Sequence, residues 1–170
     1  MKIVAARARI IDVGQGFVWG GRKPTNVHGV HVELEADNGL KGDALGWPGD
    51  LPAASVVAAF DEKLVPTLVG ADAHSLPGIL EPAWRAFRVG MPFPAIGLAD
   101  VALWDLAGKH AGLSVAQMLG QKHLRLKSCA SAPTVFSPED AMAMTEEILA
   151  EGFLALKLHS CGDLQTDIQV

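Results

Sequence analysis

The run Gly152-Phe153-Leu154-Ala155-Leu156-Lys157-Leu158-His159 sets the architecture. A glycine closes a helical segment, a short apolar run follows, and the run finishes on Lys-x-His. In a strand, residues two apart point to the same side. Lys157 and His159 are therefore expected to project together from the end of a buried strand. Upstream, Ser137-Pro138-Glu139-Asp140 reads as a helix start. Ser137 caps, Pro138 takes the first turn, and the two acids favour the positive end of the helix dipole. That helix is expected to run to about Glu151 and to close at Gly152. Before it, Leu124 to Ser131 reads as another strand. Strand, helix and strand within roughly 35 residues form a βαβ unit, which implies a parallel sheet. The C-terminal ends of such strands are where α/β barrels keep their chemistry.

The first two-thirds of the chain has a different pattern. Lys2 to Val13 alternates as a strand, and Gly14 to Asn26 is a glycine-rich loop. Val27 to Ala36 alternates Val30, Val32 and Leu34 with His31, Glu33 and Glu35. Asp37-Asn38-Gly39 is a hairpin turn, because Asn-Gly supplies the positive φ angles of a tight reversal. Leu40 to Trp47 is the returning strand. Helices are expected over Ala53 to Leu64, ended by Pro66, and over Leu76 to Phe87. The clearest helix is Ala95 to His110, where Leu98, Ala99, Ala102, Leu103 and Leu106 form one apolar stripe. Gly112 suits its C-terminal cap. Residues 1–115 thus read as an α+β domain with a three-stranded antiparallel sheet, and 116–170 as the first β-α-β of a parallel domain.

Composition excludes several classes of function. Apolar residues are 49% and charged residues 19% of the 170, enough for a core and wrong for a disordered chain. A formal charge of −5, with no long basic run, argues against nucleic-acid and anionic-membrane partners. Cys129 and Cys161 are expected as two reduced thiols rather than a disulfide framework. Met1-Lys2-Ile3-Val4 leads straight into a strand without a signal-peptide pattern, and no apolar run is long enough to span a bilayer. The expected setting is the cytoplasm.

Four segments, in order, resemble the enolase superfamily, in its mandelate racemase/muconate lactonizing enzyme branch. They are the Asp37-Asn38-Gly39-Leu40-Lys41-Gly42 hairpin, Ala102-Leu103-Trp104-Asp105-Leu106-Ala107-Gly108-Lys109 with Gly112-Leu113-Ser114-Val115 and Leu119-Gly120, the strand end Ser128-Cys129-Ala130-Ser131, and the 152–159 run. The resemblance implies an α+β capping domain on a modified (β/α) barrel, of which only the first β-α-β lies in this chain. It also implies abstraction of a proton α to a carboxylate, with Mg²⁺ stabilising the enediolate; a Lys or His base with Mg²⁺ is a known pattern of this superfamily. An acid-sugar dehydratase or a racemase/epimerase is the expected activity. The alternative is a non-catalytic fragment or interaction domain lacking the metal site. The family's metal ligands are acidic residues on the third to fifth barrel strands, and these fall beyond Val170. A small-molecule carboxylate substrate and a homo-oligomer, dimer or octamer, complete the expectation.

The family's second-strand motif is commonly Lys-x-Lys, and here it is Lys157-x-His159. A neutral imidazole is a competent base near neutral pH. His159 is accordingly expected as acid/base, and Lys157 as the group that orients a carboxylate. The cap loops of the family close over substrate. By position, these loops bring in Trp19 and Arg22 from Gly14 to Asn26, and Trp47 from Trp47 to Pro52, as substrate contacts. His28 and His31 sit on opposite faces of a strand and are not expected to share a metal.

Overall fold

The computed structural model describes residues 1–15, 26–87 and 90–170. Contacts divide the chain into two compact units: Met1–Val13 with His28–Lys122, and Gly14–Val27 with His123–Val170. We call them the cap unit and the βαβ unit.

The cap unit holds most of strands β1 (Ile3–Gln15) and β2 (Asn26–Ala36) and all of β3 (Lys41–Gly46), in the sheet order β1-β2-β3. β2 and β3 pair antiparallel from Val30↔Gly46 to Glu35↔Lys41. The turn between them is closed by Ala36 N–H donating to Leu40 O, with Gly39 at φ 81°. Alternation puts Val30, Val32, Leu34 and Ala44 on the inner face, all buried. The outer face carries an ion-pair network: Arg7 meets Glu33 and Glu35, Lys41 meets Glu33, and His31 Nε2 meets Asp43 at 3.0 Å.

Helices cover the inner face. α1 (Ala53–Ala59) runs through a π-helical turn, Phe60–Leu64, into the short α2 (Val65–Leu68). Pro66 therefore does not end the helical run as the sequence reading expected. It occupies the first turn of α2, the part of a helix where proline is best tolerated. α3 is Leu76–Phe87 and α4 is Phe93–Ala111. The α4 stripe Leu98, Ala99, Ala102, Leu103 and Leu106 is buried in one core with Val56, Phe60, Leu64 and Leu80. α4 ends on Gly112 at φ 67°, ψ 25°, with Leu113 N–H on Gly108 O and Gly112 N–H on Lys109 O. This is the paired bonding of a left-handed helix stop.

Polar groups on α4 fasten β3. The Asp105 carboxylate accepts the Asp43 backbone N–H at 2.8 Å and pairs with Lys109 at 2.7 Å. Lys109 Nζ in turn donates to Lys41 O at 2.8 Å. The helix and strand approach so closely at Gly42 that an added Cβ would overlap the Ala102 carbonyl oxygen and sit 2.6 Å from Leu106 Cβ.

The βαβ unit follows the short helix α5 (Val115–Met118) of the cap. It holds β4 (Ala130–Ser131), α6 (Pro138–Ala150), β5 (Leu156–Lys157) and α7 (Leu164–Gln169). Ser137 caps α6, its Oγ accepting from Asp140 N–H at 3.1 Å, and Gly152 takes φ 90° after the helix. β4 and β5 pair parallel, Ala130↔Leu156 and Ser131↔Lys157. The strands are much shorter than the expected Leu124–Ser131 and Phe153–His159. A strand persists only where a neighbour completes its hydrogen bonds, and here the pairing covers Ala130↔Leu156 and Ser131↔Lys157, flanked by Ala130 N–H on Ala155 O and Ala132 N–H on Lys157 O. Leu124, Leu126 and Leu154 are more than four-fifths exposed.

Candidate functional site at the end of β5

Lys157 is the last residue of β5, and His159 follows two residues later, beyond the paired ladder. The alternation that put both on one face stops at Lys157, so His159 is placed by a specific bond instead. Its Nδ1 lies 2.6 Å from the backbone carbonyl oxygen of Ala132, one residue past the end of β4. A carbonyl only accepts, so Nδ1 is the donor in this contact. In a neutral imidazole the lone pair then resides on Nε2, the basic position. The ring is half-buried, and Nε2 has no solvent-accessible surface, whereas Lys157 is exposed. The main-chain geometry of two parallel strands thus determines how the imidazole is held.

The loop after His159 is shaped by two aspartates, Asp163 before α7 and Asp167 within it. Asp163 caps α7, accepting Thr166 N–H at 2.9 Å and the Thr166 hydroxyl at 2.8 Å. These bonds hold its carboxyl below the usual carboxylate range. Asp167 reaches back to accept the backbone N–H of Cys161 at 2.7 Å and of Gly162 at 3.3 Å. The Asp-x-x-Thr spacing and Gly162, at φ 87°, were the legible signals of this turn. Nothing local in the sequence marked the Ala132 carbonyl, because a backbone acceptor carries no residue signature.

The remaining site residues fall elsewhere. Trp47 is exposed in the cap unit, and its Nε1 donates to Gly49 O at 2.6 Å, within its own loop. Trp19 and Arg22 lie outside the described residues. His31 is engaged by Asp43 and by Arg9, whose Nε donates to Nδ1 at 3.2 Å. Cys129 and Cys161 are free thiols. A groove of about 300 Å³ in the βαβ unit, lined by residues including Met142, Thr145, Leu158 and Val170, contains neither Lys157 nor His159.

Among the described residues, no group of three or more His, Cys, Asp or Glu side chains is arranged to hold a metal ion. The described residues therefore do not fit a Mg²⁺ site. Among the described residues, no helix is long and apolar enough to cross a membrane.

Comparison with known proteins gives the arrangement its context. The L-Lys-D/L-Arg epimerase of Desulforapulum autotrophicum is 34% identical over 147 residues, covering 84% of this chain and 41% of that protein. A D-mannonate dehydratase of Caulobacter vibrioides is 34% identical over 173 residues, covering 94% of this chain and 37% of that protein. The crystal structure of a racemase from Streptomyces coelicolor A3(2) with bound magnesium superposes with a TM-score of 0.86 at 24% identity. That match covers 98% of this chain and 49% of the racemase, and shows a shared fold. The chain spans less than half the length of each of these three proteins. Residues 23–120, more than half of the chain, match the family described as "Mandelate racemase / muconate lactonizing enzyme, N-terminal domain". With its sheet order, its α4 stripe and its parallel β4–β5 pair, the chain belongs to the mandelate racemase/muconate lactonizing enzyme family.

Proposed function

We propose that this chain is the N-terminal portion of an enzyme that removes the proton α to a carboxylate, an acid-sugar dehydratase or a racemase/epimerase. The observation that carries the reading is the pair Lys157 and His159 at the end of a parallel strand, in a chain of this family. The α-proton of a carboxylate is very weakly acidic, so the reaction needs a positioned base and stabilisation of the developing negative charge. His159 takes the proton through Nε2, which is covered in the resting chain and has to be uncovered as substrate enters. The Lys157 ammonium pairs with the substrate carboxylate and opposes the charge that builds on it. Mg²⁺ is the implied cofactor of the whole protein, on ligands outside the described residues. Trp47, with its N–H committed to Gly49, offers its ring to an apolar part of the substrate. Trp19 and Arg22 complete the substrate contacts, Arg22 toward an anionic group. The working protein is a cytoplasmic homo-oligomer, a dimer or octamer.

A second reading has one observation behind it: the described residues hold no metal-binding group. In that reading the chain is a non-catalytic fragment or an interaction domain.

The test uses the protein encoded by the complete reading frame, with Mg²⁺ and a panel of acid sugars and amino acids in D₂O. Exchange or loss of the α-proton is followed by NMR. Loss of one general base costs about 10²- to 10⁴-fold, so His159→Asn should lower the rate by that factor with the fold intact. A substrate that turns over equally well in the His159→Asn protein would refute the assignment of the base. No exchange across the panel would favour the second reading.

A further inference from the structure

His159 replaces a flexible lysine base by a planar ring, and a ring must be held in one tautomer to act from one nitrogen. We propose that the Ala132 backbone carbonyl, at the end of β4, is the positioning group that keeps His159 protonated on Nδ1 and basic on Nε2. The inference rests on the reading of His159 as the acid/base group. It is carried by the 2.6 Å contact between Nδ1 and Ala132 O, and by the rigidity of that carbonyl. Ala132 is itself held, because its N–H donates to Lys157 O at 3.0 Å. Strand pairing and ring orientation are therefore coupled: the residue whose N–H pairs with β5 also fixes, through its carbonyl, the imidazole two residues beyond β5.

This arrangement has a chemical consequence. A lysine base must shed its charge before it accepts a proton, and its flexible stem gives the nitrogen several approaches. In its neutral form the tethered imidazole offers one lone pair in one direction. When Nε2 accepts the α-proton, the C–H electron pair stays on the substrate as the enediolate and the ring becomes an imidazolium. Both nitrogens then donate, and the Ala132 bond strengthens as the charge develops. The carbonyl thus stabilises the proton-loaded form more than the resting form, which assists the transfer. In a dehydration the same Nε2 gives the proton to the departing hydroxyl, which leaves as water; in a racemisation a second group on the opposite face delivers a proton to carbon, and Nε2 releases its own to solvent.

The test is long-range ¹H–¹⁵N correlation NMR on the uniformly ¹⁵N-labelled protein of the complete reading frame. The His159 ring is assigned by the loss of its signals in His159→Gln. At a pH where the ring is neutral, the Nδ1–H form should exceed the Nε2–H form by about fivefold or more, the ratio that one net hydrogen bond supports. Equal populations, or an excess of the Nε2–H form, would overturn the proposal. A second readout is amide hydrogen exchange at Ala132 in His159→Asn, whose side-chain amide can donate to Ala132 O in place of Nδ1–H, and in His159→Gln, whose longer side chain cannot donate from that position. Protection retained in Asn and reduced in Gln supports the contact; equal protection in both counts against it. These measurements need no substrate. A single tautomer together with an activity indifferent to His159→Asn would leave the positioning in place and refute the base assignment; mixed tautomers with a dead His159→Asn enzyme would do the reverse.

Discussion

Replacing Gly42 by alanine tests the closest approach in the cap unit. Gly42 is not among the glycines with positive φ, so alanine can adopt its backbone conformation and any cost is steric. The new Cβ would overlap the Ala102 carbonyl oxygen and lie 2.6 Å from Leu106 Cβ and 2.9 Å from Leu106 N. Two of these atoms are helix backbone, and the third is a Cβ fixed to it, so no side-chain rotation relieves the clash. α4 must move away from β3 by roughly the ångström that separates these distances from ordinary contact. That movement stretches the Asp105–Asp43 and Lys109–Lys41 bonds along the same seam. Overpacking a well-filled core costs about 1 to 3 kcal/mol, and a rigid neighbour puts this site at about 3. Alanine also narrows the unfolded ensemble, which returns about 0.4 to 1 kcal/mol. The net loss should be about 2 kcal/mol, or a fall in Tm of roughly 10 °C for a unit of this size. The assay is urea and thermal unfolding followed by tryptophan fluorescence, which Trp47, Trp84 and Trp104 report from the cap unit. Gly97→Ala is the control: Gly97 lies on α4 with nothing within 4 Å of an added Cβ, and should be stabilised by about 0.5 to 1 kcal/mol. A Gly42→Ala protein as stable as wild type to within about 0.5 kcal/mol would refute the reasoning about this seam.

Two further outcomes are expected from the same measurements. Burial pushes the Asp100 carboxyl above its ordinary value of 3.8, so the folded state holds that proton more tightly than the unfolded chain does. Its contribution to stability is greatest below pH 3.8 and is lost as the pH rises through the folded value. Asp100→Asn should therefore stabilise the protein at pH 7, with the gain disappearing in acid; unfolding curves with a pH-independent difference would contradict this. In the βαβ unit, Ser137→Ala removes the acceptor for Asp140 N–H at the start of α6 and should cost about 1 kcal/mol, with faster amide exchange in the first turn of α6. Unchanged exchange there would show that the cap does not stabilise the helix.

What the sequence by itself determined were the features that follow from local chemistry and period. The Asn38-Gly39 reversal, the stripe on α4, the Gly112 stop and the Ser137 cap all follow from φ/ψ preference or from side-chain spacing. The alternation over β2 determined which residues of the sheet face the core. It also put Lys157 and His159 within two residues of each other at the end of the second strand. The lengths of β4 and β5 were decided by tertiary structure, because apolar alternation records the tendency to pair, while the ladder extends only as far as a neighbour supplies donors and acceptors. Pro66 is a similar case: its ring is incompatible with the interior of a continuous α-helix, but the π-helical turn before it places proline in the first turn of α2. Asp105 reads locally as a partner for Lys109, four residues on, yet its other bond reaches Asp43 on β3, sixty-two positions away in sequence. The Ala132 carbonyl that holds His159 was decided by the fold alone. Every residue carries the same backbone carbonyl, and only the parallel pairing of β4 with β5 brings this one within 2.6 Å of the ring.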